Sequence, residues 1–418
     1  MPSADPDSRP SQPHPALTEA LPGSAIASGG QQSQQASGRA PLPPRVLGDV
    51  KASSGSESAP VLVCLGGVHG NEPAGVVAVS RVVAALKADP SGLVGRLVCV
   101  TGNRAALSRG QRYLDRDLNR SFVPERLVAL RVSHDPHGSE EREALELVAL
   151  FDDLAEEESS GLFLLDLHST SSHGAAFAIL DDTLANRAFA FALPVPRVLG
   201  LEEEVSGTIT AWANRRGIVA AAFECGQHDD PESVARAEAA VWIALESSGV
   251  IAKDVRREAA AARHYLCAES VGLPSVCEVR YRHALGADHD FTMQPGYRNF
   301  HPVNAGELLA SDGDDPVTLD HDALLLMPLY QGQGEDGFFI VHEVNEAWLS
   351  LSAIVRRLHL HHLLPVFPGV TRHPERRNVL IVDRHRARWL ALELFHLLGY
   401  RREAYDEDRY QFTRRDRR

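Results

Sequence analysis

The chain lacks any run near the ~18 uninterrupted apolar residues that a membrane-spanning helix needs, so no part of its 418 residues is expected to cross a bilayer. It also lacks a basic excess. Its 42 Lys and Arg face 56 Asp and Glu, for a formal charge of -14. Binding to nucleic acid depends on clustered cations that neutralise phosphates, so this balance argues against it and leaves local arginines to hold a small anion. Cysteine is sparse. Cys64, Cys99, Cys225, Cys267 and Cys277 are odd in number, form no CxxC pair and sit mostly in apolar runs. Such usage suits reduced thiols in the cytoplasm. The basic start and apolar stretch of a secretory signal are missing as well, which leaves the cytoplasm as the expected location.

What is present is an ordinary globular composition, 44% hydrophobic and 23% charged, in a chain longer than the roughly 100–200 residues of one domain. Residues 1–45 are rich in Pro, Ser, Gly and Gln with little aromatic content to bury, and are expected to form a disordered tail. From about residue 58, short apolar strands alternate with helical patterns. Strands are predicted at Val61 to Leu65, Arg96 to Thr101, Gly161 to Leu167, Ala175 to Leu180 and Ile218 to Phe223. Helices are predicted after Pro73, from Glu140, through Trp212 and after Pro231. This alternation predicts an α/β layered domain over 46–258, with ligands near strand ends. Past about residue 260 helical periodicity fades, and Ser275 to Tyr281 and Gly337 to Val344 read as strands of a smaller β-rich domain over 259–344. Residues 345–418 form a short α/β appendage, with helices near Trp348 to His359 and Ala387 to Leu398 and a strand at Val379 to Val382.

The segment from Cys64 to Gly75 begins as a strand and turns at glycines, which puts His69 and Glu72 on a loop at the strand's end. Pro73 suits the first turn of the next helix and fixes where Glu72 points. About a hundred residues later Asp166-Leu-His168 closes another apolar strand, making His168 the natural third ligand of one ion. Two imidazoles and a carboxylate leave a coordination position open for water, as in catalytic zinc sites. Asp166 shares a strand face with His168 and is placed to orient it. Glu224 ends the apolar strand before Cys225 and Gly226, where desolvation tunes a carboxylate toward general base and acid work. The stretch from Arg112 to Phe122 is a poor helix with three arginines and an asparagine. Asn119 and Arg120 fit a clamp for a substrate carboxylate, and Arg112 suits an oxyanion. A loop ion-paired through Asp115 and Asp117 is the plainer alternative. His134, His137, His361 and His362 read as structural or solvated.

Together GGVHGNEPAG, GNRAAL, RYLDRDLNRSF, DLHST and FECG, in that order, resemble the succinylglutamate desuccinylase and aspartoacylase family, zinc enzymes related in fold to carboxypeptidase A. The resemblance runs from about residue 58 to about 343, since GQGEDGFF also looks like the family's C-terminal β domain, which narrows the entrance in favour of small substrates. It implies a zinc-carboxypeptidase-like mixed sheet flanked by helices, one Zn(2+) per subunit on His69, Glu72 and His168, Glu224 as catalytic carboxylate, and substrate contacts from Arg112, Asn119 and Arg120. Asn214, flanked by Arg215 and Arg216, stands where aspartoacylases carry a further arginine. Tyr297 and Tyr330 are the candidates for the family's substrate tyrosine. The expected activity is cleavage of the amide of a small N-acyl amino acid. A carboxypeptidase-like or ester hydrolase and a non-catalytic metal-binding relative are the alternatives. No nucleic-acid or membrane partner is expected, and self-association into a homo-oligomer stays open.

Overall fold

The computed structural model describes residues 42–53, 59–133, 136–157, 161–286, 289–383, 392–405 and 409–416. Most of the tail expected over 1–45 lies outside them. At its end Arg45 is tied to the carbonyls of Thr101 and Gly102 and to Glu143.

In chain order the first part comprises strands β1 (Val46–Lys51), β2 (Val61–Gly66), β3 (Arg96–Thr101), β4 (Leu162–Thr170), β5 (Phe177–Ile179), β6 (Arg197–Leu199) and β7 (Val219–Gln227). Between and after them lie helices α1 (Ala74–Ala88), α2 (Arg104–Leu107), α3 (Pro124–Ser133), α4 (Ser139–Glu157), α5 (Leu184–Ala190), α6 (Leu201–Glu204), α7 (Ile209–Arg215), α8 (Glu232–Ser247) and α9 (Arg257–Glu269). Strands β8 (Val276–Ala284), β9 (Phe291–Met293), β10 (His301–Val303), β11 (Leu308–Asp312), β12 (Asp315–Thr318), β13 (Ala323–Leu326) and β14 (Asp336–Glu343) follow.

One mixed sheet takes the order β1-β3-β2-β4-β7-β5-β6-β8-β14-β13-β10, so strands from both sides of residue 258 share it. Its centre, β3-β2-β4-β7, is parallel, and β8-β14-β13-β10 end it as a run of antiparallel neighbours. A second small sheet, β12-β11-β9, stands beside it. Central strands buried on both faces read as continuous apolar runs, and VLVCLG of β2 is buried at all six positions. Side chains still alternate. Leu62, Cys64, Leu165, Leu167, Ala221 and Phe223 join one core with α1 and α8. Val61, Val63, Leu65, Leu162, Leu164 and Ala220 join another with α4 and α7. Helix α4 meets that second face through Ala144, Leu147, Val148, Phe151 and Leu154, an i, i+3, i+4, i+7 stripe. No helix among the described residues is long and apolar enough to cross a membrane.

Two sequence expectations need correction. Helical periodicity does not end at about 260, because α9 runs to Glu269. Its buried stripe is Ala259, Ala262 and Leu266, and alanines make a faint apolar signal. The appendage holds more strand than expected, since α10 (Glu346–Arg357), β15 (Val370–Arg372), β16 (Val379–Asp383), α11 (Leu392–Leu397), β17 (Tyr400–Tyr405) and β18 (Arg409–Arg414) build an antiparallel sheet β15-β16-β18-β17. Arginines interrupt the apolar pattern of its last two strands. One of them, Arg401, is buried and reaches Asp182 and Glu278, each at 2.8 Å. Arg356 and Arg187 meet the same Asp182 at 2.7 and 2.5 Å. The appendage is therefore anchored to the large sheet by buried charge.

Candidate active site

The parallel strands end on one edge of the sheet, and the candidate residues gather there. Gly66 to Gly70 turn the chain out of β2. Gly70 is obligatory by contact, because a Cβ would fall 2.1 Å from the Ala106 carbonyl carbon and 2.4 Å from the Gln111 oxygen. The Glu72 amide donates to the His69 carbonyl at 3.1 Å, closing a turn that brings both side chains to one side. His168 and Glu224 are register partners on β4 and β7, as are Asp166 and Ala222. Adjacent strands lie about 4.8 Å apart, so Asp166, His168 and Glu224 project from the same face.

His69, Glu72 and His168 are buried, and one ligand atom from each lies within 4.8 Å of the others. His69 Nε2 is 3.0 Å from Asp117 Oδ1, and His168 Nε2 is 2.8 Å from Asp166 Oδ2. With Nε2–H donated to a carboxylate, each Nδ1 carries its lone pair inward. There the two Nδ1 atoms lie 2.8 and 3.1 Å from the two Glu72 oxygens. A proton or a divalent metal can fill the gap between these atoms, and the N and O donor set suits zinc. Glu72 Oε2 also accepts the Ser169 amide at 2.9 Å. Burial opposes ionisation of Glu72, but His69 and His168 outweigh it and hold its pKa well below the usual range. Burial likewise opposes the His168 imidazolium, and Asp166 and Glu72 hold its pKa well above normal.

Glu224 is 7% exposed, and its Oε2 has no hydrogen-bond partner. Burial is the main force pushing its pKa up to about 7, with Glu72 and Asp166 adding to it against His168 and His69. It lines a cleft together with His69, Glu72, His168, Arg112, Asn119 and Arg120. The structure thus brings all seven candidates to one cavity.

The arginine stretch combines both of its sequence readings. Arg112 donates to Asp117 at 3.1 Å and to Glu72 at 3.4 Å, and Arg120 to Asp336 at 2.6 Å. The Nε donors of both are buried without a hydrogen-bond acceptor. Asn119 Oδ1 accepts the Ile209 amide at 3.0 Å, so its amide group is fixed by α7. Asp117, weighed only as a charge-balancing acid, is buried against His69, and the alternating acids of DRDLN are the one hint of it in the chain. Asn214 does not line the cleft, and neither do Arg215 and Arg216. Tyr297 donates to Glu307 and Tyr330 to the Gln294 carbonyl, and neither faces the cleft. Residues not singled out before complete the lining, among them Asp181, Glu202 and Asp336. His361 and His362 line a separate cavity between the appendage and Thr183, Asn214 and Arg215, the His137 amide donates to Glu141, and His134 lies outside the described residues.

Residues 58–239 match the profile of the succinylglutamate desuccinylase/aspartoacylase catalytic domain. That segment belongs to this family. The chain is 35% identical over 115 residues to an N-acyl-aromatic-L-amino acid amidohydrolase of Xenopus tropicalis, covering 27% of this chain and 34% of that protein. It is 33% identical over 125 residues to a probable aspartoacylase of Acaryochloris marina, covering 29% and 39%. The match therefore spans little more than a third of these relatives' own lengths. The crystal structure of succinylglutamate desuccinylase from Vibrio cholerae shares the fold, with a TM-score of 0.51 at 18% identity over 71% of this chain and 85% of that one. A mixed sheet flanked by helices and extended by β-rich elements is thus the family's carboxypeptidase-like architecture.

Proposed function

We propose that this protein is a zinc-dependent deacylase that hydrolyses the amide bond of a small N-acyl amino acid. The observation that carries the reading is the meeting of a His-Glu-His donor set with Glu224, a buried carboxylate with a free oxygen, in one cleft. A zinc ion on His69, Glu72 and His168 would supply Lewis acidity toward a water and the substrate carbonyl.

The chain's own residues do the rest. Glu224 Oε2 accepts the proton of the attacking water and returns it to the departing amine, work suited to a carboxylate whose proton affinity burial has raised. Asp117 and Asp166 hold the two imidazoles in the Nε2–H form. Arg112, through its uncommitted Nε–H, faces the oxygen that gains negative charge. The Arg120 guanidinium and the Asn119 amide receive the carboxylate of the amino acid. Met327, Leu329, Gln331, Gly334, Glu335, Asp336 and Phe339 line the cleft, and walls on this side favour small substrates over polypeptides.

Glu224→Gln tests this assignment. Hydrolysis of N-acyl amino acids should fall by a factor on the order of 100 to 10,000 while zinc content stays at one per chain. Undiminished turnover in that variant would remove Glu224 from the reaction.

A further inference from the structure

The cavity between the appendage and the end of α7 shares no lining residue with the cleft of the candidate catalytic residues. Six arginines line it, Arg215, Arg372, Arg376, Arg377, Arg414 and Arg415, against one carboxylate, that of Asp416. In a chain of formal charge -14 such a concentration of cations is local. One end of the appendage sheet gathers most of it. Arg372 closes β15, Arg376 and Arg377 lie in the connection to β16, and Arg414 closes β18 as the register partner of Tyr400 on β17. Arg215, the last residue of α7, and Thr183 supply a wall from outside the appendage.

Val379, Leu380, Tyr400 and Thr413 are buried, whereas Arg372, Arg376 and Arg377 are exposed, so the cavity has a built floor and a charged rim. Part of the charge is already answered. Arg215 and Arg415 both act on Asp181 of the cleft, and Arg376 donates to Gln411 at 2.5 Å. Asp416 is taken by the Leu184 amide at 2.8 Å and lies 3.7 Å from Arg356. Arg372, Arg377 and Arg414 differ from these, because no carboxylate among the described residues forms an ion pair with any of them. Arg414 Nη1 donates to His361 Nε2 at 2.8 Å, an acceptor without negative charge, and its Nε is buried with no acceptor at all. Burial pushes the Tyr400 phenol up, and Arg414 and Arg372 pull against it. Guanidiniums from two strands therefore converge on one side chain.

Like charges gathered around a concavity repel one another, and a cleft lined by one sign concentrates counter-ions. A guanidinium meets carboxylate or phosphate oxygens through paired N–H bonds. Three guanidiniums without an acid, in separate positions, exceed what one carboxylate can satisfy, whereas linked phosphates carry several charges on many acceptor oxygens. Walls from two parts of the chain suit a compact ligand better than an extended strand or a lipid surface. We propose that this cavity binds a small polyphosphate, a molecule bearing two or more linked phosphate groups. The site is independent of the deacylase reading and uses none of the residues of the cleft.

Calorimetric titration of the full chain with inorganic triphosphate tests it, with inorganic phosphate and citrate as the single-phosphate and tricarboxylate comparisons. Triphosphate should bind at one per chain and roughly tenfold or more tighter than either. Arg372→Gln combined with Arg377→Gln removes two exposed cations and should weaken triphosphate binding roughly tenfold or more. Arg131→Gln, on α3 and paired there with Asp152, should leave it within about twofold. The difference between the variants cancels any phosphate that reaches a metal in the cleft. In the wild-type chain, triphosphate should also shield Arg372 and Arg377 from phenylglyoxal, read peptide by peptide by mass spectrometry, and leave Arg131 unshielded. Vesicles containing a phosphoinositide and a single-stranded oligonucleotide complete the probes. Tighter binding of either than of triphosphate, no saturable triphosphate binding, affinity unaltered by the double substitution, or absence of shielding overturns the site.

Discussion

Arg401→Met should loosen the appendage from the large sheet, and the size of the effect follows from what the guanidinium touches. Its side chain is 1% exposed, and four carboxylates, those of Asp182, Glu278, Glu203 and Glu202, lie 2.8 to 3.4 Å from it. Methionine fills similar space but leaves these acids facing one another. Removing one partner of a buried ionic group costs about 3–5 kcal/mol. Glu278 gives an independent scale. Burial opposes its ionisation, yet His396 and then Arg401 lower its pKa from 4.5 to about 2. At ~1.4 kcal/mol per tenfold change in proton affinity, that depression is worth about 3 kcal/mol, of which Arg401 provides part. Its effects on Asp182 and Glu203 make up the remainder.

The sign with pH follows. A carboxylate with a depressed folded pKa contributes stability above its unfolded value and loses it as pH falls through the folded one. The share of the Arg401→Met penalty carried by Glu278 and Glu203 should be full above about pH 5 and shrink toward pH 3 as these carboxylates protonate. Hydrogen exchange of the β16 and β18 amides, compared with wild type at each pH, reads the opening free energy directly. A loss under about 1 kcal/mol at pH 7, against the 3–5 expected, or a loss that grows toward pH 3, would refute the reasoning. Glu278→Gln added to Arg401→Met should recover part of the loss, because the two sites share one network.

Three other outcomes are expected. Asp166→Asn removes the charge behind His168 Nε2 and should weaken zinc binding about 10- to 100-fold in a chelator competition, with the circular dichroism spectrum unchanged. Gly70→Ala forces the loop away from two backbone segments. The resulting shift of His69 and Glu72, of the order of an ångström, should lower kcat/KM by about 100-fold with little loss of helix content. Phe151→Ala empties a fully buried site whose ring centroid lies 5.6 Å from that of Trp212; urea denaturation should show a loss of about 3–5 kcal/mol.

Much of the fold was legible because the central strands are uninterrupted apolar runs and α4 carries a clear helical stripe. These signals are local, requiring only neighbours along the chain. The appendage was harder to read. Arg401 sits inside one of its strands because its partners, Asp182 and Glu278, lie more than a hundred residues away in the chain, and α9 hides its buried face in alanines.

His69, Glu72, His168 and Glu224 were named from a glycine turn and from polar side chains at the ends of apolar strands, and Arg112, Asn119 and Arg120 from a donor-rich stretch that makes a poor helix, so the chain alone determined which groups were candidates for one site. Tertiary structure decided their company. It put Asp117 behind His69, committed Arg112 and Arg120 to acids, kept Tyr297, Tyr330 and Asn214 out of the cleft, and brought Asp181 and Glu202 into it. Spacing along a chain shows where a carboxylate can appear, but its proton affinity and its partner depend on burial and on charges that only folding brings within reach.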